Sequence, residues 1–110
     1  MAQEKNSLVG QVVDLANLVA YQDGSVVSRE IVKMPGGTVT AFAFDAGQGL
    51  SEHTAPFDAL VQVLDGTVEI TLSGQPHRVT AGQALLMPAG APHALKALAR
   101  FKMLLTMIKS

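Results

Sequence analysis

The sequence predicts an all-β protein, a sandwich or barrel of short strands. Three observations carry this. Turns rich in Gly, Pro and Asp recur at intervals of about 8–12 residues. The runs between them are short, rich in β-branched residues and in places strictly alternating. Only one segment, from Asn6 to Tyr21, carries an apolar stripe wide enough for a helix.

In that first segment Leu8, Val9, Val12, Val13, Leu15, Ala16, Leu18 and Val19 fit a helical stripe. The β-branched Val9, Val12 and Val13 fit a strand equally well, followed by a short turn capped by Asp14. Both forms stay open. After Asp23-Gly24 the signal is β. Ser25 to Met34 is one run, ended by Pro35-Gly36-Gly37, and Thr38 to Phe44 is a second, bounded by the loop 45–49. A third runs from Ala59 to Leu64 and stops at Asp65-Gly66. In Thr67 to Leu72, Val68, Ile70 and Leu72 share one face and Thr67, Glu69 and Thr71 the other. Ser73 to Pro76 turns a hairpin into His77 to Thr80. Ala81-Gly82 is another turn, Ala84 to Met87 another strand, and 88–92 a tight loop. Phe101 to Ile108 is the last strand. Residues 1–37 are expected to pack as N-terminal strands or a short helix on a barrel of 38–110, all in one domain.

Composition narrows the function. The chain has 110 residues, 48% apolar and 15% charged, with a net charge of -1. Disorder needs the opposite balance, and a basic footprint for nucleic acid or an anionic membrane is absent. No apolar run reaches the roughly 18 residues of a membrane span, and the first residues lack the pattern of a secretory signal. With no cysteine, disulfides and thiolate-bound zinc are impossible. A cytoplasmic location is the expectation. The mean hydropathy is +0.29, although a domain this small buries only about 65% of its unfolded surface. Moreover, Ala59-Leu60-Val61 and 101–108 are apolar on both faces, where a half-solvated antiparallel strand would alternate. A partner subunit covering the second face, hence a homodimer, is expected. Leu105 is a candidate for that interface.

Two segments carry a resemblance. Gly47 is followed by five residues and His53, and Gly66 lies thirteen positions after His53. Gly82 is followed by five residues, Pro88, one residue, Gly90, two residues and His93. This pair resembles the two motifs of the cupin family, which read Gly, five residues, His-x-His, three or four residues, Glu, six residues, Gly; and Gly, five residues, Pro-x-Gly, two residues, His, three residues, Asn. The fifteen residues between Gly66 and Gly82 match the short spacing of small microbial cupins. The resemblance spans about residues 38–108 and implies an RmlC-like jelly-roll barrel, similar to stand-alone members of unassigned function.

The departures bear on chemistry. The second His of the family's first motif falls on Ala55, its Glu on Ala59, and the Asn of the second motif on Ala97. Of the four positions that ligate metal in metal-dependent cupins, only His53 and His93 keep a ligating side chain. Were a metal held, imidazoles suit iron, zinc, manganese or nickel, but protein sites normally supply three or four ligands. Asp58 sits one residue from the Glu position, on the opposite face of a strand, and would need a bulge near Pro56 to serve. His77 shares the parity of Val79 and starts a strand at a hairpin tip, which suits a packing or rim role. Glu52 and Asp58 could reach the mouth as solvated carboxylates.

Methyl groups in place of His and Glu make the barrel wall apolar. The expected ligand pocket is His53, Ala55, Phe57, Ala59, His93 and Leu95, with some of Met34, Met87, Met103 and Met107. The leading expectation is a cupin that binds a small, partly apolar molecule with His53 and His93 at its polar end. The alternative is a metal-dependent oxygenase, isomerase or lyase with a reduced two-His set. A third is a non-catalytic interaction or storage module, which the two-faced apolar strands favour.

Overall fold

The computed structural model describes residues 8–109 and is the expected all-β sandwich. The described residues form nine strands: β1 (Val26–Met34), β2 (Gly37–Phe44), β3 (Gly49–His53), β4 (Asp58–Asp65), β5 (Thr67–Leu72), β6 (Gln75–Thr80), β7 (Ala84–Met87), β8 (His93–Ala97) and β9 (Phe101–Ile108). They form two antiparallel sheets, in the order β1-β2-β9-β4-β7 and β3-β8-β5-β6. Seven of the strands fall on runs expected from the sequence. The two that do not, β3 and β8, carry His53 and His93.

Side-chain parity builds the core. On β9, Phe101, Met103, Leu105 and Met107 face the second sheet; on β4, Ala59, Val61 and Val63 do so; and β5 sends Val68 and Ile70 back against them. Phe44 and Phe101, opposite each other on β2 and β9, stack with ring centroids 4.5 Å apart. Leu105 therefore points into the sandwich, correcting its candidacy for a subunit interface. Its odd-numbered neighbours share that direction because strand side chains repeat every second residue.

Two turns have backbone requirements. Ser73 and Gly74, the two residues between β5 and β6, both have positive φ (49° and 80°). That is the type I′ geometry whose twist matches the flanking strands. Gly66, between β4 and β5, has φ of 75° and lies so close to the Arg100 carbonyl that a Cβ there would overlap it.

The second face of the large sheet, whose cover the sequence reading assigned to a partner subunit, is covered in part by the chain's own N-terminal segment. Leu18 and Val19, each 7% exposed, pack with Ala41, Ala43 and Leu104, and with Leu8, Val13, Val27 and Leu64 around them. Lys102 Nζ donates to the Ala16 carbonyl (2.5 Å) and lies 4.8 Å from the Tyr21 ring centre. Tyr21 in turn donates its hydroxyl to Asp65 (2.6 Å). The segment is an irregular strap with one 3-10 turn, Leu15–Asn17, and Asp14 makes no side-chain cap to that turn. Residues 6 and 7 of the expected stripe lie outside the described residues. A polar cluster anchors the strap's end: Asp45 accepts from Gly24 N–H (2.6 Å), Ala46 N–H (2.9 Å) and Arg100 Nε (2.8 Å), while Arg100 also pairs with Asp23.

The strap stops short of the far end of the sheet. There Met34, Leu86 and Ile108 stay 64%, 63% and 59% exposed on the outer face. Met34 is paired with Gly37 on that face, so it cannot line the barrel as expected.

Candidate functional site

The site begins with an irregularity in β3. Leu50 pairs with Leu95, but His53 pairs with His93, so β3 spends three residues where β8 spends two. An unbroken strand starting from inward-facing Leu50 would turn Glu52 in and His53 out. The bulge restores His53 to the face of Leu50 and leaves Glu52 exposed to water. On β8 no correction is needed: His93, Leu95 and Ala97 alternate inward.

Loop contacts hold the two family-like segments together beside this pair. Gly90 N–H donates to the Ala55 carbonyl (2.8 Å), and Ala89 N–H donates to Asp58 Oδ1 (2.9 Å). Asp58 is paired with Ile108 on the outer face of β4. Its carboxylate ties down the loop 88–92 and does not reach the cavity.

The two imidazoles stand edge to face, ring centroids 4.3 Å apart. His93 is 7% exposed while His53 is open to solvent, so the pair bridges a buried end and an open one. Each ring is oriented by the backbone carbonyl two residues before it: His53 Nδ1 lies 2.7 Å from the Ser51 carbonyl oxygen and His93 Nδ1 lies 3.0 Å from that of Ala91. A carbonyl oxygen only accepts, so both Nδ1 atoms are the protonated ones. In the neutral rings both Nε2 atoms are then acceptors.

Behind the pair is a cavity offering about 50 Å³ to the centres of water-sized atoms. Its wall consists of Leu50, Ala55, Ala59, Val61, Met87, Leu95, Met103, Leu105 and Met107, together with the two histidines. Among the described residues the imidazoles are the only polar side chains that line it. Ala55, Ala59, Leu95 and three of the four candidate methionines thus meet at one place with His53 and His93. Phe57 does not join them: its ring lies outside the cavity wall, 5.3 Å from Lys109 Nζ. His77 is exposed on edge strand β6 and also lies outside. Leu50, Val61 and Leu105 are wall residues that the sequence reading did not place in the pocket. Val61 and Leu105 share parity with Ala59 and Met103, a signal that was present, whereas the bulge hides Leu50's relation to His53.

The donor set decides what the site can hold. Two neutral imidazoles bring no charge to balance a divalent ion and leave most of its coordination unfilled. Methyl groups stand at 55 and 59, and among the described residues no group of three or more His, Cys, Asp or Glu could hold a metal. The residues present do not fit a resident metal ion.

Two shifted ionisations lie at the strap. The Arg100 guanidinium, helped by the Gly24 and Ala46 amides, lowers Asp45 to about 2. Burial and the neighbouring Asp65 carboxylate push Tyr21 well above its ordinary range. Both groups belong to the strap anchor, so they bear on stability and not on the cavity.

A family model described as a cupin domain matches residues 40–108. Among solved structures, a conserved protein of unknown function from Streptococcus pyogenes is 40% identical, with a TM-score of 0.88 over 92% of this chain and 89% of that one. A cupin 2 conserved barrel domain protein from Leptotrichia buccalis is 41% identical (TM-score 0.85), covering 88% of this chain and 47% of that one. A cupin superfamily protein from Desulfitobacterium hafniense is 28% identical (TM-score 0.89), over 99% of this chain and 100% of that one. No curated protein matches. Among the described residues no helix is long and apolar enough to cross a membrane.

Proposed function

The chain belongs to the cupin family, and from that premise we propose that it is a small-molecule-binding barrel that works without a resident metal ion. The ligand's apolar part lies among Leu95, Met87, Met103, Leu105 and Met107, and its polar end meets His53 and His93. One observation carries this reading: two convergent imidazoles form the whole polar lining of an otherwise apolar cavity. Pockets that are mostly apolar with a few oriented polar groups are the usual anatomy of small-molecule sites. Three methionines supply a wall that adapts to the shape of its guest.

The experiment is a thermal-shift screen of a small-molecule library against the wild type, His53→Ala and His93→Ala, with mass spectrometry of whatever co-purifies. A stabilising response in the wild type that both substitutions abolish is expected. Responses that survive both substitutions overturn the site. The metal-dependent alternative is tested on the same protein, purified without a His tag: about one iron, zinc, manganese or nickel ion per subunit after metal exposure would replace our reading with it.

We further propose a homodimer joined through the uncovered end of the large sheet. Support comes from the exposed Met34, Leu86 and Ile108 there and from the positive mean hydropathy. Sedimentation should give a dimer for the wild type and a monomer for Leu86→Glu/Ile108→Glu; a monomeric wild type would end the proposal.

A further inference from the structure

Resting on the small-molecule reading above, the hydrogen bonding of the histidine pair restricts the chemistry of the ligand's head. We infer that the head is a neutral group with two hydrogen-bond donors on one nitrogen, the class of a primary amide, carried on a short apolar body.

The argument starts from the backbone. Ser51 and Ala91 carbonyls each take the Nδ1 proton of the histidine two residues on, so the neutral pair offers two acceptors, one on each ring, and no donor. No other lining side chain can donate, because all of them are apolar. A head made only of acceptors, such as a carboxylate or ketone, would set lone pair against lone pair. A hydroxyl has one proton and leaves one imidazole unsatisfied, at the cost of an unpaired polar group.

An ammonium has donors enough, but its charge would be uncompensated. The wall segments of β3, β4, β7, β8 and β9 contribute no acid. The nearby carboxylates are placed away from it: Glu52 is turned outward by the bulge, and Asp58 lies on the outer face, bonded to Ala89 N–H. Burying an unpaired charge is far costlier than burying a hydrogen-bonded neutral group. A neutral nitrogen with two N–H bonds satisfies both acceptors without that penalty.

Size follows from the cavity. At about 10–15 Å³ of centre space per water-sized atom, about four atoms fit. His53 is open to solvent while His93 is buried, so an amide carbonyl at the mouth can be hydrated while the alkyl part lies inside.

Three probes of equal size and shape separate the cases: propionamide, propionate and 2-butanone, titrated at pH 8 by calorimetry or ligand-observed NMR. Propionamide is expected to bind at least tenfold more tightly than either of the others, and His53→Ala and His93→Ala each to remove that preference. Propionate or 2-butanone binding as tightly as propionamide overturns the inference, yet leaves the small-molecule reading standing if that binding still needs the histidines. No saturable response to propionamide up to about 50 mM, beyond the range expected for a five-atom ligand, also overturns it. The wider reading then stands or falls on the library screen alone. The comparison among probes is made on the wild type, so it survives any folding defect in the His93 variant.

Discussion

Replacing Ala59 with leucine should close the cavity to the proposed small molecule and stabilise the protein at once. Ala59 is 4% exposed and its methyl group is part of the cavity wall, opposite Met87 and Met107 on the flanking strands. Leucine adds three carbons to a space with room for about four water-sized atoms. Each buried methylene contributes about 0.8 kcal/mol, so the gain is about 2.4 kcal/mol. Ordering the new side chain costs about 0.5–1 kcal/mol, which leaves a net stabilisation of about 1.5 kcal/mol. For a domain of this length that corresponds to a rise in Tm of about 6 °C. Circular-dichroism melts and the small-molecule titration, run on the same preparation, read both quantities. A lower Tm would mean that the wall is already close-packed and that leucine overfills it. An unchanged small-molecule response would mean that the guest lies elsewhere. Either result refutes the reasoning.

Three further substitutions probe the frame around the site. Gly66→Ala should cost at least about 2 kcal/mol in urea denaturation, because a methyl group at positive φ would overlap the Arg100 carbonyl; a loss below about 0.5 kcal/mol would contradict that contact. Leu18→Ala should cost about 2–3 kcal/mol if the strap is an integral cover of the large sheet, and a neutral result would show that it packs only loosely. For Asp45 the native carboxyl is held at about 2, below the ordinary 3.8, so its contribution is complete above about pH 4 and fades as the pH falls towards 2. Urea midpoints of the wild type and Asp45→Asn should therefore differ at pH 6 and converge on acidification; a constant gap would remove the Arg100 pairing as the cause.

Where one strand face was apolar and the other polar, the sequence was read correctly. Val68, Ile70 and Leu72 against Thr67, Glu69 and Thr71 left only one arrangement for β5, and the Gly and Pro turns marked its neighbours. β3 offered no such contrast. Its run Gly49-Leu50-Ser51-Glu52-His53 has one apolar side chain of any size, and the bulge breaks the period of two that pattern reading depends on. β8 alternates, but with alanine on both faces, so its pattern is faint. In β9 the difficulty was the reverse. Both faces are largely apolar, so the parity that groups Leu105 with Met103 did not say which face is inward until β2 and β4 were laid beside it. The spacing of His53 and His93 within the two family-like segments was legible where the strands beneath them were not. The strap stayed open for a different reason: its Val13, Leu18 and Val19 serve a surface supplied by residues 41, 43 and 104, far along the chain, while Val9 and Val12 stay exposed.

The extra residue in β3 makes the chemical character of the barrel mouth depend on backbone register. If the pleat straightened and the following loop, 54–57, took up the slack, Glu52 would swing into the cavity opposite His93 and the imidazole of His53 would swing out. An acid–base couple would then stand where two bases now meet, with no change of sequence. Slippage of one position in a short edge strand would be enough to put a carboxylate where an imidazole now stands.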